Sequence, residues 1–97
     1  MGTYIVLANY TDQGIRNIKD SPDRAEAARK AIQDMGGDMK AVYLTMGTYD
    51  LVIVIEAPSD EVATRFVLAV SALGNVRTTT LKAFTETQFR DIVAGLP

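Results

Sequence analysis

The segment 51-LVIVIEA-57 decides the fold, because its first five positions are all apolar. A strand with one wet face alternates apolar and polar side chains, so an unbroken apolar run predicts a strand buried on both faces. The segment 3-TYIVLANY-10 is rich in aromatic and β-branched residues and predicts a second strand of the same kind. We therefore expect both strands to lie in the middle of one sheet.

Two crossover helices and a short tail helix are predicted in the rest of the chain. The first begins at Ser21-Pro22, ends at Gly36-Gly37 and carries an apolar stripe at spacings of three and four, namely Ala25, Ala28, Ile32 and Met35. The second follows Pro58-Ser59 and ends at Gly74. A capping box, Thr85 to Gln88, predicts a short tail helix.

Two further strands complete the pattern. Residues 39–46 alternate apolar and polar side chains, which predicts a half-buried strand near an edge. The threonine-rich residues 75–84 predict a more solvent-exposed strand. Residues 11–20 are predicted as a loop whose Ile15 and Ile18 fold down as a helical turn or a lid. The order β-α-β-β-α-β is that of an α+β, ferredoxin-like antiparallel sheet with strand order 4-1-3-2, and residues 1–97 form one domain.

This topology places both crossover helices on one face of the sheet and leaves the other face bare. Val52 and Val54, together with either Val6 or its neighbours Ile5 and Leu7, would then point away from the helices. So large an apolar patch is unusual on a monomer. We therefore expect a homodimer formed sheet against sheet, or a higher oligomer; the alternative is a tail helix folded back over a monomer's sheet.

Composition excludes several function classes. The 97 residues contain no histidine and no cysteine, the commonest metal ligands and catalytic groups, so we expect no metal and no cofactor. Ten basic against twelve acidic residues give no electrostatic footprint for nucleic acid. No leader or membrane-spanning run is seen, so a cytoplasmic location without membrane contact is expected.

The segment 47-GTYD-50 is the first candidate site. As a turn it needs only the conformational freedom of Gly47 and the hydrogen-bonding capacity of Asp50. As a site it would present Tyr49 and Asp50 at the rim of a cleft, where a phenol and a carboxylate can anchor an amine or orient a hydroxyl.

A second polar cluster lies where the first strand ends. Asn9, Thr11 and Gln13 occupy the carboxyl end of that strand, a common place for pockets in open sheets. Arg77 on the fourth strand offers an anion contact. Ordinary turn and solvent-facing roles are the alternative for all four residues.

The segments 11-TDQGIRNIKDSPDR-24, 44-LTMGTYDLVIVIEAPSDE-61 and 73-LGNVRTTTLKAFTE-86 resemble the GYD domain family of small bacterial proteins. The resemblance runs from Tyr4 to about Glu86 and implies a dimeric α+β barrel, but it implies no activity. Residues 47–84 also resemble, more weakly, the effector-binding half of leucine-responsive-type regulators, which bind amino acids between subunits.

Three functions follow as hypotheses. The first is a homo-oligomeric module that binds a small molecule near the turn between the second and third strands and the end of the first strand. The second is a cofactor-free monooxygenase or isomerase with Asp50 or Tyr49 as its base. The third is a structural assembly subunit. The poverty of catalytic residue types favours the first.

Overall fold

The elements follow the predicted order. A computed structural model describes residues Met1–Pro97 and has β1 (Gly2–Tyr10), α1 (Asp12–Arg16), a 3₁₀ turn (Ile18–Asp20), α2 (Ser21–Asp34), β2 (Asp38–Leu44), β3 (Leu51–Ala57), α3 (Asp60–Ala72), β4 (Val76–Ala83) and α4 (Glu86–Ala94). The predicted loop 11–20 is thus largely helical, as the helical-turn alternative has it, but Ile15 and Ile18 remain 53 % and 38 % exposed and are not part of the core. No helix combines the length and apolarity needed to cross a lipid bilayer.

The four strands form one antiparallel sheet in the order β2-β3-β1-β4. This is the predicted ferredoxin-like arrangement, with β1 and β3 in the centre. Tyr4 lies opposite Ile55 on one side and Lys82 on the other, which fixes the register of both central pairings. A bulge between Met39 and Ala41 interrupts the β2–β3 ladder.

The core lies between the sheet and helices α2 and α3. Tyr4, Val6 and Ala8 are the buried positions of β1, and alternate residues of the strand share a face. They meet buried residues of β3 and of the helices, and Ile32 and Ile55 are fully enclosed. Burying a side chain of this size contributes about 1.5–3 kcal/mol, so these positions carry much of the stability.

The opposite face of the sheet has no helix over it. Because Val6 faces the helices, Ile5 and Leu7 face away, and the register places Val52 and Val54 beside them. The edge strands add Tyr43 and Leu81, which are 59 % and 47 % exposed. We call Ile5, Leu7, Tyr43, Val52, Val54 and Leu81 the open face.

The tail helix α4 does not cover the open face. Its capping box is formed as predicted, with Thr85 and Gln88 exchanging side-chain and backbone hydrogen bonds. Every residue of α4 is nevertheless exposed, and the chain is elongated, measuring 52 × 31 × 17 Å. The alternative of a tail helix folded over a monomer's sheet is therefore wrong for this structure.

Candidate functional site

Residues 45–50 form the turn that joins β2 to β3. Gly47 has φ +132°, a conformation that favours glycine, and no other side chain crowds it. The Thr45 N–H donates to the Asp50 carbonyl at 2.8 Å, and the Thr45 hydroxyl donates to the Tyr49 carbonyl at 2.6 Å. The prediction that this segment is a turn is confirmed.

Asp50 extends the pairing of β1 and β3 beyond their last register pair. Its N–H donates to the Ala8 carbonyl at 2.9 Å and to Asn9 Oδ1 at 3.2 Å. Its carboxylate accepts from the Tyr10 N–H at 3.0 Å. Asn9 and Asp50 thus lie in contact, and Asn9 Oδ1 and the Asp50 carboxylate both accept hydrogen bonds from backbone N–H groups.

Thr11 and Gln13 fasten α1 to the turn between α3 and β4. The Thr11 hydroxyl donates to the Gly74 carbonyl and caps α1 by accepting from the Gly14 N–H. The Gln13 amide donates to the Leu73 carbonyl and to Asn75 Oδ1, both at 3.0 Å. These contacts lie on the other side of the β1 end from the Asp50 turn.

Arg77 lies opposite Asn9 in the β1–β4 register, on the same side of the sheet as the open face. Its side chain is exposed and forms no ion pair. The six predicted residues therefore surround the end of β1, with Asp50 and Tyr49 on the β3 side, Thr11 and Gln13 at α1, and Arg77 as the cross-strand neighbour of Asn9.

A cavity of about 620 Å³ lies next to the predicted location, on the helix side of the sheet. Nineteen of its 24 lining residues are hydrophobic, and none is one of the six predicted. Leu44 and Leu51, which flank the turn, and Tyr10, which ends β1, all line it. A volume of this size is typical of small-molecule sites.

The cavity exists because α2 presents alanines to the sheet. Ala25, Ala28 and Ala31 line the cavity, and each side chain is a single methyl group. Larger side chains of the two helices, Ile32 and Phe66, are buried in the core, and Phe66 also lines the cavity. The sequence predicts this apolar stripe of α2. The small size of its alanine side chains does not by itself indicate a cavity.

Polar groups gather at one end of the cavity. The Tyr10 hydroxyl and Ser21 Oγ are 2.7 Å apart, and both residues line the cavity. Arg24 is the only charged lining residue. Its guanidinium donates to the Asn17 and Gly14 carbonyls, at 3.0 and 3.4 Å, and has no carboxylate partner.

A cluster of Tyr4, Asp60 and Lys82 was not predicted. The Tyr4 hydroxyl donates to Asp60, and Lys82 Nζ lies 2.8 Å from the same carboxylate and 5.9 Å from the centre of the Tyr4 ring. The two donors lower the pKa of Asp60, while the contact with Asp60 raises the pKa of Tyr4 and of Lys82. The cluster joins the start of α3 to β1 and β4.

Comparison with known proteins agrees with this fold. A curated protein of Thermus thermophilus, the "glutamine synthetase and cystathionine beta-lyase binding protein", is 34 % identical over 97 residues and covers 99 % of each chain. Among solved structures, MtbAldR (Rv2779c) matches with a TM-score of 0.70 at 17 % identity over 88 % of this chain.

A feast or famine regulatory protein (Rv3291c) of M. tuberculosis, complexed with L-methionine, matches with a TM-score of 0.68 at 16 % identity over 88 % of this chain. This chain covers 52 % and 51 % of those two regulators, so the likeness concerns one half of each. At such identities the likeness shows the fold alone.

Residues 4–93 match the GYD domain. With this match and the full-length relative, the chain belongs to the GYD domain family.

Proposed function

We propose that this chain is a homodimeric binding module that holds a small apolar molecule in the cavity between its helices and its sheet. The observation that carries the proposal is the largely apolar cavity of about 620 Å³, a volume within the range of small-molecule sites. The cavity is open to solvent at its rim, where Leu44 and Leu73 are 75 % and 67 % exposed, so much of its apolar lining has water in place of packing contacts. A bound molecule restores those contacts.

Binding accounts for this geometry better than catalysis does. A cofactor-free enzyme would need a base beside its substrate, and Asp50 and Tyr49 were the candidates. Neither lines the cavity, and the Asp50 carboxylate accepts a backbone hydrogen bond from Tyr10. A purely structural subunit would not need an apolar cavity of this kind.

The dimer is proposed to form through the open face. Its central residues Ile5, Leu7, Val52 and Val54 are apolar on the side away from the helices, and the domain's own elements leave them without a covering layer. A second copy covers this face symmetrically, because a twofold axis places the same patch on both partners. The cavity lies on the other side of the sheet and stays accessible in such a dimer.

Filling the cavity tests the binding function. Ala28→Leu puts three more carbons into the cavity, and we expect it to raise the free energy of unfolding of the ligand-free protein by about 0.5–2 kcal/mol. The same change should weaken binding of N-phenyl-1-naphthylamine, an uncharged apolar fluorophore, by about tenfold or more. Fluorescence titration and urea denaturation measure the two effects.

Ala72→Leu is the matched control, because Ala72 is an exposed residue near the end of α3 that does not line the cavity. It should change neither quantity by more than about 0.5 kcal/mol. Absence of saturable fluorophore binding to the wild-type protein would reject the proposal. Equal binding by the wild type and Ala28→Leu would do the same.

A second candidate function is docking to an enzyme. The relative of 34 % identity is named as a protein that binds glutamine synthetase and cystathionine beta-lyase. In this chain α4 and the residues after it expose an apolar stripe at helical spacing, Phe89, Ile92, Val93 and Leu96, each 48–65 % exposed. A helix of nine residues gains most of its stability from packing, so this stripe is suited to a protein partner.

Surface plasmon resonance with glutamine synthetase and cystathionine beta-lyase from this chain's own source tests that candidate. Phe89→Ser combined with Ile92→Ser should weaken binding about thirtyfold or more, as expected for central apolar anchors. Arg90→Ser, which removes only an exposed ion pair with Glu86, is the control and should bind normally. No binding by the wild type, or full binding by the double variant, would reject enzyme docking.

A further inference from the structure

We infer that the molecule held in the cavity is an apolar monocarboxylate, such as a medium-chain fatty acid, with its carboxylate at Arg24 and its chain against the alanines of α2. This inference rests on the proposed function, because it names the class of molecule for the same cavity. It is carried by Arg24, the one charged residue among those that line a mostly apolar cavity, whose guanidinium contacts the Asn17 and Gly14 carbonyls beside it.

The charge of Arg24 is not neutralised within the chain. No carboxylate lies within ion-pair distance of its guanidinium, although it is the only charged group among the 24 lining residues. Each of its two hydrogen bonds goes to a backbone carbonyl and uses one N–H. Because a guanidinium has five N–H donors, three remain for an acceptor-only group such as a carboxylate.

Further donors lie at the same end. Ser21 and Arg24 are three residues apart on α2, which places them on one face of the helix. In the Tyr10–Ser21 pair one hydroxyl donates to the other, so the second hydroxyl keeps a proton to donate. Positive charge and hydroxyl donors together favour an anion over a neutral or cationic head group.

The rest of the lining is apolar apart from the uncharged Asn75 and Thr78, so it favours an apolar body. Ala28, Phe66 and Val70 are among the lining residues that offer methyl groups and one aromatic ring. A second charge on the bound molecule would have no partner there and would be expensive to bury. The cavity therefore favours one carboxylate with one apolar chain over amino acids or diacids.

The test compares three ten-carbon molecules that differ only in their head group. By isothermal titration of the wild-type protein below their aggregation concentrations, decanoate should bind at least about tenfold more tightly than decanol, and decylamine should bind most weakly. Octanoate should bind roughly fifteenfold more weakly than decanoate, since two methylenes of burial are lost.

Arg24→Gln should bring decanoate down to the affinity of decanol and leave decanol unchanged. Arg16→Gln, which removes an exposed arginine outside the cavity, is the control and should keep the preference for the acid. Circular dichroism verifies the folding of both variants. The comparison of head groups on the wild type needs no variant, so it stands even if Arg24→Gln fails to fold.

The outcomes separate this inference from the proposed function. Equal affinity for decanoate and decanol in the wild type would overturn the carboxylate assignment and leave apolar binding intact. A preference for decanoate over decanol that survives in folded Arg24→Gln would also overturn the carboxylate assignment. Failure of all three molecules and of the uncharged fluorophore to bind would overturn the proposed function itself.

Discussion

Val52→Glu is expected to convert the protein from a dimer into a folded monomer of 10.5 kDa. Val52 lies on the open face in a central strand, opposite Leu7 and Tyr43. In a twofold dimer the substitution appears twice, so two carboxylates would enter the interface without partners. Burying each one unpaired costs several kcal/mol, and we expect the dimer dissociation constant to rise more than a hundredfold.

Sedimentation equilibrium across micromolar concentrations measures this change. Leu68→Glu is the matched control, because Leu68 is an apolar residue of α3 that is 63 % exposed and far from the open face. It should remain dimeric. Val52→Thr, which keeps the shape of valine, covers the case in which the glutamate variant does not fold and should show a smaller shift. A dimer of unchanged affinity in Val52→Glu would contradict the proposed interface.

Gly14→Ala is expected to lower the free energy of unfolding by about 3 kcal/mol or more. Gly14 is buried in α1, and a Cβ atom placed there would lie 2.0 Å from the Asn75 carbonyl oxygen. That oxygen already accepts from the Thr11 N–H at 3.0 Å, so it cannot move without breaking the bond. For a domain of this size the loss corresponds to a fall in Tm of more than about 10 °C.

Gly95→Ala is the control for this prediction. A Cβ atom at Gly95 would lie 3.6 Å from its nearest neighbour, which is an ordinary contact, so the change should stay within about 0.5 kcal/mol. Urea denaturation compares the two variants with the wild type. If Gly14→Ala were as stable as Gly95→Ala, α1 would not be packed against the α3–β4 turn as described.

The fold could be predicted because local patterns and topology constrain each other. The unbroken apolar run 51–55 indicated a central strand, and the β-α-β-β-α-β order then placed β1 beside it. The same reasoning identified Ile5 and Leu7, or Val6, as the residues facing away from the helices. Only the structure decides between them, since the choice depends on strand register.

The cavity could not be predicted, because it depends on how far α2 lies from the sheet. The stripe containing Ala25 and Ala28 indicates which face of the helix turns inward, but not whether the facing side chains reach it. Contacts such as Tyr4 with Asp60, 56 residues apart in sequence, likewise require the register of β1 and the start of α3. A tyrosine at an inward position of a buried strand was nevertheless a signal, since its hydroxyl needs a partner.

The predicted polar residues show why residue type alone does not identify a site. Thr11, Gln13 and Asp50 lie at the ends of helices and strands, where backbone groups have no partner within their own element. Side chains able to bind a ligand are equally able to satisfy these groups. Arg24 gives no signal of a site in the sequence, because a lone arginine near the start of a helix normally faces solvent.

A native mass spectrum of the protein with decanoate in a fewfold excess tests the central claim most directly, because it reports the oligomer and its bound molecules together. We expect an ion series at twice the 10.5 kDa chain mass that gains one or two decanoates, and a clearly smaller gain for Ala28→Leu. A series at 10.5 kDa alone, or a dimer that gains no decanoate, would contradict a dimeric module that binds an apolar acid between its helices and its sheet.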